Sequence, residues 1–299
     1  MGRFGVCRVF RGFETMFTQL SWERRIQRAQ QLAETAAHAR EMLAFYLEIL
    51  RWQQGLFDRL SAAAQKQPLT GAFESDHHHL LEQFASLLNL AREKGSPALA
   101  ALADQLGADR DGWRDGLAAW WHGESDAAQS LFPRACLQPY LELLARTQTP
   151  PFDSRINAFE VRKLEVAAPH RVCPFCGRKP QLALLSDDTS LPGTLVDGAA
   201  DGGRRLLMCG ECLTIWPFQR IACPNCPEAD PERLPYYAAE EFPNLRVECC
   251  DTCKHYLKSI DLTKDRRPVP PVDELAAIPL DLWAIEQNYV KIQPNLAGI

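Results

Sequence analysis

From Ser21 to about Gln65 the chain carries no proline, and apolar residues return at Ile26, Ala29, Ala33, Ala36, Leu43, Tyr46, Ile49 or Leu50, Phe57 and Leu60. That spacing sits close to the 3.6-residue period of a helix with one buried face. It predicts two helices, or one kinked near Gly55. "GSP" at Gly95–Pro97 stops one helix and starts the next. Glycine ends the first, serine caps the second, and proline takes the first helical position, where its missing N–H costs nothing. Gly107 and Gly123 punctuate likewise, predicting helices near 74–94, 97–106, 109–122 and 125–146, the last bent or split by Pro133 and Pro139. The pattern changes after "TQTPPFDS" at Thr147–Ser154, a linker by composition. Short extended stretches follow at Leu182–Leu185, Arg205–Met208 and Leu245–Glu248, and helical periodicity returns only at the far end. "PVPP" after Arg267 reads as a stiff spacer, and "VDELAAIPLDLWAIEQNYV" as one or two short amphipathic helices.

Cysteine placement divides the chain the same way. Of eleven cysteines only Cys7 and Cys136 precede residue 170. Eight of the rest form four Cys-x-x-Cys pairs: Cys173/Cys176, Cys209/Cys212, Cys223/Cys226 and Cys250/Cys253. A two-residue gap lets one tight turn aim two sulfurs at one point, so two turns complete a tetrahedral site and four turns complete two. Buried small hydrophobes do not repeat at one spacing. A redox dithiol belongs between a strand and a long helix, whereas here every pair leads into turn or strand residues. The reading is metal. Gaps of 32, 10 and 23 residues between successive pairs favour the sequential arrangement, first with second and third with fourth, over an interleaved one. Gly177 behind the first pair lets the backbone turn its amides onto the thiolates; Pro227 behind the third removes such a donor. Cys249, beside Cys250, should point away from the site. Spacing does not separate zinc from iron.

The remaining composition narrows the function. At 299 residues, with 46% apolar and 24% charged residues, the chain has the balance of an ordinary globular protein and no run long enough to span a membrane. Arg24 and Arg25 are followed by Ile-Gln-Arg-Ala-Gln-Gln rather than by an apolar run, so an export signal is not expected there. A nucleic-acid-binding or regulatory zinc ribbon is the competing reading, but residues 171–261 hold ten Lys and Arg against thirteen Asp and Glu. A ribbon that grips phosphates should be basic, so no nucleic acid is expected. Phe175, Trp216, Phe218, Tyr236, Tyr237 and Tyr256 read as caps on small metal cores rather than as base-stacking groups. A site closed by four cysteines leaves no position for substrate, which argues against an enzyme. The "DHHH" run at Asp76–His79 reads as a solvated helix face. His255 reads either as orienting a ligand turn or, more blandly, as half of a packed tyrosine–histidine pair.

At "CPFCG", "CGEC", "WPFQRIACPNC", "CDTCKHYLK" and "HYLKSID", continuing into "VDELAAIPLDLW", the sequence resembles the FdhE family of formate dehydrogenase accessory proteins; the helical half is similar chiefly at "LRWQQGLFDRL". The resemblance implies a cytoplasmic, non-enzymatic protein that helps make a formate dehydrogenase active by contacting its catalytic subunit. It also implies iron in two mononuclear four-cysteine sites, with zinc as a substitute. The ligands carried over are Cys173, Cys176, Cys209, Cys212, Cys223, Cys226, Cys250 and Cys253. The expected architecture is multidomain α+β. A flexible extension (1–20) precedes an α-helical domain of five to seven helices (21–165). Two small rubredoxin-like metal-binding ribbons follow (166–215 and 216–266), then a C-terminal linker with short helices (267–299). No catalytic residues and no stable membrane insertion are expected, and self-association is left open.

Overall fold

The computed structural model describes residues 20–124, 131–148, 170–187 and 203–299. All of the predicted N-terminal extension but Leu20, which is buried, together with Cys7, most of the predicted linker and the boundary near 165, lies outside them. The first half is helical: α1 (Trp22–Thr35), α2 (Arg40–Lys66), α3 (His78–Lys94), α4 (Pro97–Ala108), α5 (Gly112–His122) and α6 (Leu131–Thr147), with a single helical turn at Phe73–Asp76. Ser96 caps its helix as predicted and Ser21 does the same, each accepting from the amide three residues on. The break between α1 and α2 falls at Ala36–Ala39, not at Gly55. Gly55 lies inside α2, where an added Cβ would meet only the end of Arg59.

Pro139 does not split α6. A proline inside a helix orphans the carbonyl four residues back, here that of Ala135. Gln53 of α2 supplies the missing donor, its Nε2 reaching Ala135 O at 2.9 Å and Gln138 Oε1 at 2.9 Å. The helix survives because a neighbour repairs it.

The second half is a sheet with helices on both faces. Its strands are β1 (Pro180–Ser186), β2 (Arg204–Cys209), β3 (Ile215–Pro217), β4 (Tyr236–Ala238), β5 (Leu245–Cys250) and β6 (His255–Asp261). Then come α7 (Pro270–Ala276), α8 (Ile278–Glu286) and the two-residue β7 (Val290–Lys291). The order is β3-β2-β1-β6-β5-β4, with β7 beside the start of β6. Each half of the sheet is an antiparallel run, β1-β2-β3 and β4-β5-β6, and the halves join through parallel pairing of β1 with β6. The two ribbon units therefore share one sheet.

Alternation along the strands sorts side chains between two cores. Leu182, Leu184, Met208, Val247 and Ile260 pack with Leu280 and Ala284 of α8, while Ala183, Leu207 and Leu257 pack toward the helical half. Covered on both faces, β1 is buried along its whole length, which explains its unbroken apolar run.

The predicted spacer at "PVPP" is instead the buried start of α7, with Pro270 and Pro271 in its first turn. Charged residues fix this segment between sheet and helices. Glu274 of α7 receives Lys291 Nζ at 2.5 Å, lies 3.0 Å from Lys258 of β6 and accepts from Gln181 of β1 at 3.2 Å. Asp281 of α8 holds both lysines as well, at 2.5 and 2.9 Å. Two cations and two anions thus neutralise one another out of water.

Candidate metal centres

Two groups of four sulfurs stand out among the described residues. Cys173, Cys176, Cys209 and Cys212 form one; Cys223, Cys226, Cys250 and Cys253 form the other, and within each group all ligand atoms lie within 4.8 Å of one another. The eight predicted cysteines are thus brought together in the sequential arrangement. In each group the first pair sits in a turn that leads into the unit's outgoing strand, and the second pair closes the returning strand, β2 or β5. A hairpin folds the chain back so that its two ends meet.

The separations suit one metal per group. Cys173–Cys212, Cys176–Cys209 and Cys176–Cys212 are 3.5, 3.4 and 3.6 Å apart, and Cys223–Cys253 and Cys226–Cys250 are 3.7 and 3.6 Å. Four thiolates about 2.3 Å from a tetrahedral centre stand about 3.8 Å from one another. None of the eight cysteines is in a disulfide. Backbone amides point at sulfur as a thiolate requires: Glu211 N to Cys209 Sγ at 3.4 Å, Asn225 N and Cys226 N to Cys223 Sγ at 3.3 and 3.4 Å.

Left-handed backbone supports these turns. The residue behind the second cysteine has positive φ at Gly177 (72°), Leu213 (57°) and Lys254 (53°). Only glycine takes that conformation without steric cost, and no sequence signal marks Leu213 or Lys254 for it. Pro227, behind Cys226, is barred from it by its ring. There the Asn225 side chain donates to Cys253 Sγ at 3.6 Å instead. His255 Nδ1 donates to Cys253 O at 2.6 Å, so of its two readings the bond favours the one that holds the fourth turn.

The two centres differ in surroundings. Cys173, Cys209 and Cys212 are buried with Phe175 and Trp216 in the same core as the helical half. Side chains of α6 grip the second turn: Gln138 Nε2 reaches Gly210 O at 2.7 Å, and Arg134 Nε lies 2.7 Å from Glu211 Oε1, close though poorly aligned for a hydrogen bond. A side chain at position 210 would collide with Gln181 Oε1 at 2.0 Å and Arg134 Nη2 at 2.6 Å, so glycine lets these groups close on the turn. Arg178 clasps the last carbonyls of α5, those of Trp120 and Trp121. Among the described residues no hydrogen bond from the helical half reaches the second centre, where both Cys226 and Cys253 are half-buried against Cys176 alone in the first. These helix-borne groups were invisible in the sequence because they lie far from the cysteines along the chain.

Ionisation is shared unevenly within each group. Burial opposes ionisation of Cys209, but the three neighbouring thiols and the Cys212 amide outweigh it and hold Cys209 well below the usual thiol range. Cys176 is pushed up, chiefly by its hydrogen bond to Cys173. In the second group burial opposes ionisation of Cys253, yet Asn225 and the His255 amide bring it down to about 7. Burial pushes Glu211 up against the pull of Arg134.

Other candidate residues fall outside the centres. Cys249 is buried in the opposite core and pushed up to about 12 by burial, pointing away from its neighbour's site as expected. Cys136 is buried in the helical core, 3.8 Å from Leu80 O. In the "DHHH" run, Asp76 accepts from Tyr140 at 2.7 Å, while His77 and His78 turn Nδ1 onto carbonyls of their own helical turns. Of the six aromatics, Phe175, Trp216, Phe218 and Tyr256 are buried; Tyr236 and Tyr237 are exposed.

Comparison with known proteins places both halves. The profile described as "FdhE, C-terminal domain" matches residues 221–297. "Protein FdhE homolog" of Aquifex aeolicus is 26% identical over 302 residues, covering 96% of this chain and 99% of that protein. "Protein FdhE" of Escherichia coli is 25% identical over 291 residues, covering 92% and 86%. The crystal structure of the FdhE protein from Pseudomonas aeruginosa superposes with a TM-score of 0.64 at 25% identity, covering 93% of this chain and 95% of that one.

Proposed function

This chain belongs to the FdhE family, and on that premise we propose that it is a non-enzymatic accessory protein for a formate dehydrogenase. It engages the catalytic subunit in the cytoplasm through its cysteine-rich half and holds two metal ions there, iron in the cell. The observation that carries the reading is the pair of sulfur groups at tetrahedral separations. Each would be filled by its own four cysteines, leaving no coordination position for a substrate. Iron held by four thiolates would supply one-electron exchange, whereas zinc in the same place would be structural only. The cysteine side chains, their amide donors and the helix-borne Gln138 and Arg134 fix the first centre. At the second, Cys226 and Cys253 are half-buried.

A sheet region with more acids than bases favours a protein client over nucleic acid. No helix among the described residues is long and apolar enough to cross a membrane. The test is co-purification with the formate dehydrogenase catalytic subunit, together with formate dehydrogenase activity in cells lacking this protein. Capture of the subunit and loss of activity, restored by the wild-type gene but not by Cys223→Ser/Cys226→Ser, are expected. Full activity without the protein, in cells with no second copy of the gene, would sink the reading.

A further inference from the structure

The repair of α6 by Gln53 reaches further than the helix. Three hydrogen bonds and one peptide unit run without a break from α2 to a cysteine sulfur. Gln53 Nε2 donates to Gln138 Oε1 at 2.9 Å, and Gln138 Nε2 donates to Gly210 O at 2.7 Å. Gly210 C=O and Glu211 N–H are the two ends of one peptide unit, and that N–H donates to Cys209 Sγ at 3.4 Å. Every member is out of water: Gln53, Glu211 and Cys209 are fully buried, and Gln138 is 8% exposed.

The direction of this chain is fixed at both ends. A side-chain amide can turn over, exchanging its donor for its acceptor. Gln138 cannot do so without setting its oxygen against Gly210 O. Gln53 cannot do so without setting its own against Ala135 O, which also takes Nε2 at 2.9 Å. Ala135 O needs that donor because residue 139 is proline and has no N–H. Pro139 thus leaves an acceptor that holds the Gln53 amide in the one orientation that feeds Gln138.

The effect is delivered at sulfur. A trans peptide is planar, with its C=O and N–H pointing opposite ways, so holding Gly210 O aims the Glu211 N–H. Hydrogen bonds in a chain polarise one another, and amide donors set how much charge a ligating thiolate keeps. At the second centre the side-chain and amide donors to sulfur, Asn225 and Cys226, come from its own turns. Control from the helical half is a property of the first centre.

We propose that Gln53 and Gln138 are positioning residues for the first metal centre, acting on Cys209 through the Gly210–Glu211 peptide; this rests on the reading above that each group of four cysteines holds a metal.

The full chain is titrated with cobalt(II), whose bonds to thiolate give charge-transfer absorption, in two backgrounds. Cys223→Ser/Cys226→Ser leaves only the first group complete, and Cys173→Ser/Cys176→Ser only the second. Gln138→Met keeps the side chain's length and removes its donor. It should weaken cobalt binding about tenfold or more in the first background. In the second, binding should stay within about twofold. The first centre's absorption should also move to longer wavelength, because a thiolate that has lost support from its amide donor gives up charge more readily. Gln53→Leu should show both effects in smaller measure, and nothing further in the Gln138→Met chain. Should Gln138→Met fail to fold, Gln53→Leu is read alone: it leaves Gln138 in place without the donor that orients it, and a loss confined to the first centre supports the proposal. Equal cobalt affinity and band position with and without Gln138, equal losses at both centres, or an undiminished cost of Gln53→Leu in the Gln138→Met chain would overturn it while leaving the metal reading standing. A first group that takes up no cobalt with Gln53 and Gln138 intact brings down the metal reading, and this inference with it.

Discussion

Gln53→Leu isolates what allows a proline in the middle of α6. Leucine keeps much of the glutamine volume but cannot donate, so Ala135 O and Gln138 Oε1 lose bonds of 2.9 Å inside a fully buried site. Each orphaned acceptor costs about 1–3 kcal/mol. Gln53 Oε1 is itself buried without a partner, and its removal offsets about 1–2 kcal/mol of that. The net destabilisation expected is about 2 kcal/mol. Pro139→Ala supplies the decisive control, because alanine restores the amide that Ala135 O accepts in an unbroken helix. In that background Gln53→Leu orphans only Gln138, and its cost should fall by about 1 kcal/mol. The assay is urea unfolding of the metal-loaded protein followed by far-UV circular dichroism for all four members of the cycle. Costs equal in the two backgrounds within about 0.5 kcal/mol would refute the repair argument.

Metal analysis should find two ions per chain, and a chelator should remove them in two phases, the centre with half-buried Cys226 and Cys253 emptying first; one phase or reverse order, read with Cys223→Ser as reference, contradicts the asymmetry. Gly177→Ala forces a side chain onto φ 72° and should lower stability by about 1 kcal/mol or more in chemical unfolding. Burial alone would raise Glu274, but Lys258 and Lys291 outweigh it and bring its pKa from 4.5 down to about 2. Because the folded value is depressed, its contribution is complete above about pH 4.5 and is lost as pH falls toward 2, by about 3 kcal/mol. The difference in stability between wild type and Glu274→Gln should shrink across that window; a difference independent of pH there would count against the buried network.

The cysteine turns were legible because their chemistry is local. A two-residue gap sets both sulfurs on one turn, and the intervening lengths fit a hairpin in each unit, so the sequential grouping followed from spacing. The orientation of Cys249 followed from strand alternation once Cys250 was assigned inward. What escaped the sequence was imposed from a distance. Leu213 and Lys254 have residue types that disfavour left-handed backbone, and the surrounding cysteine turns override that preference. Pro139 obeys no local rule because its repair comes from α2. The "PVPP" stretch looked like a spacer because proline-rich composition usually is one; the Glu274 and Asp281 network that buries it joins residues of β6, α7, α8 and β7. The β1–β6 pairing, which makes two units one sheet, has no local signature at all.

That pairing sets a timetable for the emerging chain. β1 leaves the ribosome about 70 residues before β6, its neighbour in the finished sheet. At bacterial translation speeds the interval is roughly 3–15 s. Over that time the first cysteine group can already close, since Cys212 follows β1 by fewer than 30 residues. The far flank of β1, with Leu182, Ala183, Leu184 and Leu185 in a row, meanwhile stands open to any passing strand. Prompt synthesis of the second unit is therefore a safeguard for the first, and slowing translation between Ser186 and His255 should raise aggregation of newborn chains while leaving the stability of completed ones unchanged.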